Sequence, residues 1–517
     1  MHMTSSTTFW LRELNMPDDK SISAVNGTGE IESRVKAWPR FEDITEPQMV
    51  CLHVANASGS KVFQSFLDGH PQIMMIPAYP LVYFYPHWRR WENELRDNWC
   101  WEEIVARFCV QHASVIDSRR IPGHNGMTGL GDTQDQHVAL DEALFHAGLL
   151  HLLDEQPITS RTFLLAVHYA FALCSGEDIS KQKVLVYHIH VQGFAADYLV
   201  HDFPEMKVIG MVRDQRSNYK GRYYNSTVAV ENAKLNRTDA MVYRRRSFLE
   251  MTRILYVAEP SIPGADPERV RVINAEDLHH QLEPIMRETA AFLEINYLPL
   301  LLESTFGGLL YWGDAIYDMK PTNKFNPRAV SDSWKKELSS VDWFVLEGLF
   351  FDYLVTYGYT PYKYLRDTTW NRLKLFLLLF VPSRIECREW ANYLKPKTFI
   401  EFLQASRAEA DGTVPLKDYS FNAYYRHRWG IEGLQIWKPR WFQRFLVNAR
   451  REALENPSPG KRAVAHFAQW CYVTANVGRY VWSALLYPYW IIRRWALTLR
   501  AFWRLIHKTN VFPPTLK

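Results

Sequence analysis

Met49-Val50-Cys51-Leu52-His53-Val54-Ala55-Asn56-Ala57-Ser58-Gly59-Ser60-Lys61-Val62-Phe63-Gln64-Ser65-Phe66-Leu67 is the stretch that decides the fold. Its apolar start reads as a buried strand, its small-residue middle as a loop, and its end as a helix. Small residues let a backbone approach an anion, and the helix that follows offers N–H groups and the positive end of its dipole. Ser58 and Ser60 add hydroxyl donors and Lys61 a cation. The order Gly59-Ser60-Lys61 is not the Gly-Lys-Ser of a Walker loop, which speaks against a kinase of that group.

Working outward, Lys183–His190, Lys207–Arg213 and Arg269–Asn274 read as further short strands. Helical patterns cover 139–154, Arg161–Ser175 and Ala275–Phe292, and the aromatic stretch Tyr79–Trp91 reads as turns. Strands alternating with helices predict a parallel α/β sheet, whose ligands sit beyond the carboxyl ends of its strands. Ala57, His190 and Arg213 each close such a run, so they are expected at one crevice. The expected fold is α/β: a P-loop-like three-layer parallel sheet with flanking helices, plus a mainly helical C-terminal appendage.

At 517 residues the chain exceeds one ordinary core. We read 1–40 as an irregular lead-in, 41–365 as the α/β domain and 366–517 as a basic, Trp-rich helical region. The overall charge of +4 hides a split. About 25 of the 60 Lys+Arg but only about 10 of the 56 Asp+Glu lie in 366–517, leaving it roughly +15 and the rest roughly −11. Around Trp495 and Trp503, basic residues alternate with apolar ones, as in a helix lying on a membrane surface or in a helical subdomain packed on the body with Trp as core. Arg mixed with aromatics also occurs on single-stranded nucleic-acid surfaces, but nothing else points there and no nucleic acid is expected. Cys51, Cys100, Cys109, Cys174, Cys387 and Cys471 show no CxxC spacing, so no metal is expected and a cytoplasmic, thiol-reduced setting is. The polar first forty residues show no secretory signal.

Ala57–Lys61 followed by Phe66-Leu67-Asp68-Gly69-His70-Pro71-Gln72-Ile73 resembles the phosphosulfate loop and the LLDxHPxI-like helix end of sulfotransferases. Val208–Arg216, with Arg213-Asp214-Gln215-Arg216, is similar to that family's strand ending in Arg-Asp-Pro-Arg. Asn274-Ala275-Glu276-Asp277-Leu278 and Phe292-Leu293-Glu294-Ile295 resemble two later segments. Thr305-Phe306 through Trp312-Gly313-Asp314, then Trp334–Leu338 and Tyr357-Gly358-Tyr359, resemble the close of bacterial members. The resemblance spans about 45–365. It implies transfer of a sulfuryl group from 3′-phosphoadenosine-5′-phosphosulfate to a hydroxyl or amine; the likeness to bacterial members and the basic tail point to a hydroxyl of a saccharide or lipid-linked acceptor.

By the same resemblance, Ser58, Gly59, Ser60, Lys61 and Val62 cradle the phosphosulfate, and Arg213, Lys220 and Gly221 face the 3′-phosphate. His190 matches the family's base and His188 its lysine, with Lys61 as a catalytic cation. Two departures stand out: Ala57 replaces the basic residue at the front of the loop, and Gly221 replaces the 3′-phosphate serine. They leave a second expectation open, a binding or scaffold protein that kept the fold and lost the chemistry. Arg216 is read as a salt-bridging residue or a supporting contact behind the phosphate rather than a catalyst, and Arg119, Arg120 and His124 as a solvated loop or a contact for an anionic acceptor. The protein is expected in the cytoplasm, peripheral on the inner membrane.

Overall fold

A computed structural model describes residues 28–54, 58–95, 98–120, 127–190, 196–219, 262, 264–313, 334–384, 387–388, 391, 394–413, 440–485, 487–508 and 512–516. Five strands form one parallel sheet: β1 Gln48–Val54, β2 Ile73–Met75, β3 Val184–His190, β4 Lys207–Val212 and β5 Val270–Asn274. Their order is β2-β3-β1-β4-β5, so β1 runs down the middle. Alternation along β1 splits its side chains between two cores. Met49 and Cys51 face one core, while Val50, Leu52 and Val54 face the other. A central parallel strand is covered on both faces, which is why β1 is apolar nearly throughout.

Helices supply the two outer layers. The short α1 Ser60–Ser65, which follows β1, packs on the Val50 face. The Met49 face is covered by α2 Phe84–Glu94, α3 Trp101–Gln111, α4 Glu142–Leu153 and α5 Ser160–Cys174. The stretch expected as aromatic turns therefore holds α2. Phe84, Trp88 and Trp91, at helical spacing, bury themselves against Phe163 of α5. The helix expected to run unbroken from Ala275 to Phe292 is two, α6 Ala275–His280 and α7 Leu282–Leu293, which join the Val50 face. The break falls at Gln281, whose φ of −138° and ψ of 50° are not helical.

A third core lies beyond β4 and β5. Val212 and Val272 meet Trp334, α8 Ser340–Leu349 and α9 Thr369–Leu378 there. Farther along run α10 Pro396–Asp411, α11 Arg440–Glu455, α12 Pro459–Leu485 and α13 Tyr487–His507. Small residues Ala410, Ala449, Ala465 and Ala468 let α10, α11 and α12 pack closely around Leu446 and Tyr472. Leu505 of α13 returns to the third core. The chain then runs along the free edge of β5, where Val272 N–H donates to the Pro514 carbonyl (2.9 Å) and Leu516 N–H to the Val272 carbonyl (2.8 Å). Residues 369–379, 501–508 and 512–516 thus share cores with the α/β sheet. Among the described residues, no helix is long and apolar enough to cross a membrane.

Candidate functional site

The carboxyl ends of β3, β1 and β4 stand side by side. Val54 is in register with His190 on one side and Met211 on the other. Neighbouring strands lie ~4.8 Å apart, so the backbones of His190 and β4 are about 10 Å apart with the β1 loop between them. The loop enters α1 through Gly59, at φ 83° and ψ 12°. A Cβ there would meet only Ala275 Cβ, at 3.8 Å, so conformation rather than space requires glycine. An L-residue in this left-handed region costs roughly 1–2 kcal/mol.

The start of α1 has no side-chain cap. By helix geometry its first-turn N–H groups have no carbonyl within the helix. Ser58 is 1% exposed, and among the described residues its Oγ hydrogen-bonds to nothing. A buried hydroxyl left so costs about 1–3 kcal/mol; Thr289 Oγ1 and Asn218 Oδ1 are buried in the same way, and what sets Ser58 apart is its place beside Gly59 at the start of α1. Ser60 and Lys61 are buried beside it.

Beneath the loop sits a polar cluster. Lys61 Nζ lies 5.5 Å from the centre of the Tyr79 ring, and Tyr79 meets the His188 ring edge-on at 5.5 Å. His188 Nδ1 donates to Gln64 Oε1 (3.1 Å), and Gln64 Nε2 donates to the Ile76 carbonyl (3.2 Å). Burial pushes the His188 pKa down to about 3; the Lys61 charge adds to the fall and a hydrogen bond to the Ala78 backbone opposes it. His188 is therefore a neutral imidazole at pH 7 and does not take the place of a cationic lysine. The cation here is Lys61.

Arg213 sits half-buried at the end of β4. Its backbone is clamped by the Tyr353 hydroxyl, which accepts from its N–H and donates to its carbonyl, each at 3.1 Å. Its charge bears on two half-buried groups of α6. Glu276 has its pKa raised by burial, against Tyr359 Oη–H (2.6 Å), the Arg213 charge and the Asp214 N–H. His279 is pushed down to about 4 by burial, then by Arg213 and His280. A cavity of about 360 Å³ opens here, between Asp214, Asn274, Glu276, Trp334 and Tyr359. A cavity of about 660 Å³ lies at the amino ends of the strands, beside Gln72 and Lys183.

Other motif residues hold the frame. Arg216 is fully committed: Nη2 to Asp214 (2.8 Å), Nη1 to Glu347 (2.7 Å), and its guanidinium 4.4 Å from the Trp334 ring centre. Asp68 accepts from Thr305 Oγ1–H and from the N–H groups of Gly307 and Gly308 at 2.9–3.0 Å, fixing the turn between β6 Thr305–Phe306 and β7 Leu309–Leu310. His70 pairs with the Asn296 carbonyl (2.9 Å). Arg119 grips Asp117 and Arg120 grips Glu142, so both have internal partners.

Of the residues singled out from sequence, Ser58, Gly59, Ser60, Lys61 and Val62 form the turn into α1, and His188 lies under it. Arg213 ends the next strand but one from β3. His190 closes β3 in its backbone, while its side chain, Ala57, His124, Lys220 and Gly221 lie outside what is described. Sequence reading missed Gln64, Tyr79, His279, Tyr353 and Tyr359. Gln64, Tyr79 and Tyr359 lay in stretches the sequence marked, but none of them with a role. Among the described residues no group of three or more His, Cys, Asp or Glu is placed to hold a metal ion.

These features define a three-layer α/β protein with a donor-rich turn at the carboxyl end of its central strand. No family model and no curated protein matches the sequence. Among solved structures, the chain is similar to the sulfotransferase domain from the curacin biosynthetic pathway, at 15% identity, over 50% of this chain and 78% of that one, with a TM-score of 0.28. It is also similar to the sulfotransferase domain of the Synechococcus PCC 7002 olefin synthase, at 15% identity, 57% and 89% coverage and a TM-score of 0.29. A sulfotransferase from Alicyclobacillus acidocaldarius matches at 14% identity, 50% and 89% coverage and a TM-score of 0.24.

Proposed function

We propose that the chain is a sulfotransferase that moves the sulfuryl group of 3′-phosphoadenosine-5′-phosphosulfate to a hydroxyl of a saccharide or lipid-linked acceptor. The observation that carries this reading is Ser58: a buried hydroxyl without a partner among the described residues, next to left-handed Gly59 and the uncapped start of α1. The groups gathered there are N–H and O–H donors plus the Lys61 ammonium, the chemistry that suits phosphosulfate oxygens. Arg213 brings a guanidinium two strands from β3, suited to the 3′-phosphate.

In the transfer, a bond forms from the acceptor oxygen to sulfur as the bond from sulfur to the 5′-phosphate oxygen breaks. His190, in register with Val54, takes the acceptor's proton. Lys61 offsets the charge left on the 5′-phosphate, standing in for the basic residue that Ala57 displaces. Lys220 and Gly221 complete the 3′-phosphate contact. His188, neutral, holds Gln64 and so the pitch of α1 under the loop. The acceptor class rests on the basic, Trp-rich 366–517, which suits work at the inner face of a membrane.

The sequence feature Ala57 favours a second reading, a nucleotide-binding protein without turnover. Incubation with labelled donor and mixed membrane and glycan extracts separates the two. Sulfated product that disappears in His190→Ala is expected. Donor-analogue binding with no product under any acceptor leaves the second reading in place of the first.

A further inference from the structure

Twenty large apolar side chains are exposed among the described residues, and seventeen of them lie from Tyr362 onward. The α/β sheet and its covering helices expose almost none, so the excess is a property of the C-terminal helices. On α9, Trp370, Leu373 and Leu377 are 71%, 49% and 61% exposed, and Val381 follows just past the helix end. Spacings of three and four residues put them on one stripe, opposite buried Leu375 and Leu379. Ile492 and Trp503 lie outward on α13, and Val464, Phe467, Trp470 and Val481 outward on α12.

Inner faces of α9 and α13 are settled by packing. Phe376 meets Phe502 with ring centres 5.7 Å apart, and Phe380 meets Trp495 at 5.6 Å. Their apolar outer faces are therefore not the packing faces of these helices. Exposed Arg366, Lys374 and Arg500 border the same stripes. Clustered exposed apolar surface marks a contact site. With basic residues around Trp and Leu, and no helix among the described residues able to span, the pattern matches a helix lying in a headgroup layer.

We infer that the outer faces of α9, α12 and α13 seat this protein on an anionic lipid bilayer. Charge selects the occupant. The region is roughly +15 by sequence, so pairing two copies would bring two positive regions together, whereas an anionic leaflet attracts the net positive charge. Trp370 and Trp503 would enter the headgroup region, and Lys374 and Arg500 would stay at phosphate level. The inference stands on this surface alone and is independent of the sulfuryl-transfer reading.

The test is flotation of the full chain with vesicles of phosphatidylcholine, with and without phosphatidylglycerol. Binding to the anionic vesicles alone is expected, weakening as salt rises. Trp370→Ser with Leu377→Ser should weaken it by more than about tenfold, and Lys374→Gln by about fivefold, with circular dichroism unchanged in both. Absence of binding to either vesicle overturns the inference, as does equal binding by the variants. A dimer by sedimentation that the serine variants dissociate, without vesicle binding, overturns it in favour of a second copy. Titration of the same preparation with 3′-phosphoadenosine-5′-phosphate keeps the two proposals apart. Vesicle binding without nucleotide binding sinks only the donor reading; nucleotide binding without vesicle binding sinks this inference, and with it the membrane-based choice of acceptor, while the donor reading stands.

Discussion

At the carboxyl end of β1 the protein buries a hydroxyl, on Ser58, that meets no partner among the described residues; on α9, α12 and α13 it leaves Trp370, Trp470 and Trp503 exposed. These are opposite departures from ordinary solvation. Proteins pair the polar groups they bury and cover their large apolar clusters. Each departure points to a missing partner of a definite kind. The first wants oxygen atoms that accept hydrogen bonds inside a small donor-rich turn. The second wants an extended apolar medium with negative charge at its edge.

Arg216 is the internal control for the first region. It lies near the same sheet end and is equally buried, yet all its partners are in the chain. Arg216→Met should destabilise the fold by about 3–5 kcal/mol, because it strands the carboxylates of Asp214 and Glu347. Urea denaturation measures this. A change under about 1 kcal/mol would mean that buried polar groups here need no partner, and the contrast with Ser58 would collapse.

Acid sharpens the same contrast. The His188 pKa is held near 3 in the folded protein, below its ordinary 6.5. The unfolded chain therefore binds the extra proton between those values, so stability is full above about pH 6.5 and falls as pH drops toward 3. His112 and His168, each pushed down to about 4 by burial, act in the same direction. His188→Gln should remove part of that slope in denaturation curves run across the window. An unchanged slope would place His188 in water.

Ser58→Ala should move two readings in opposite directions. It deletes a buried hydroxyl with no described partner, so stability without ligand stays level or rises by up to about 1 kcal/mol. Affinity for 3′-phosphoadenosine-5′-phosphate should drop about fivefold, the worth of one hydrogen bond. The smallest effect belongs to the other region. Trp370→Ser should shift stability by no more than about 0.5 kcal/mol, since the ring is 71% exposed. A larger loss would show that the ring is covered within the chain.

Much of this frame was legible in sequence because local chemistry writes it. β1, β3, β4 and β5 are apolar runs bounded by turns, and the passage through Gly59 into α1 is marked by small residues. What escaped was short or remote. β2 is three residues long, too few to show a period. In α2 a proline, Pro86, sits among the aromatics and masks a helical spacing that only Phe163 reveals. Around the site, Ser58 could be named, but its burial comes from elements far along the chain. Tyr353 grips Arg213 from 140 residues away and Tyr359 reaches Glu276 from 83, contacts that leave no local pattern. The α9 region was readable as a short apolar run and α13 as a basic, aromatic surface helix; which faces stay uncovered is decided by packing.

Calorimetric titration of the full chain with 3′-phosphoadenosine-5′-phosphate tests the central claim most directly. The account predicts binding in the micromolar range, about −8 kcal/mol. It also predicts weakening about fivefold in Ser58→Ala and more in Arg213→Ala, whose charge-assisted contacts are worth about 1.5–3 kcal/mol. No heat of binding, or an affinity that neither substitution changes, would contradict it.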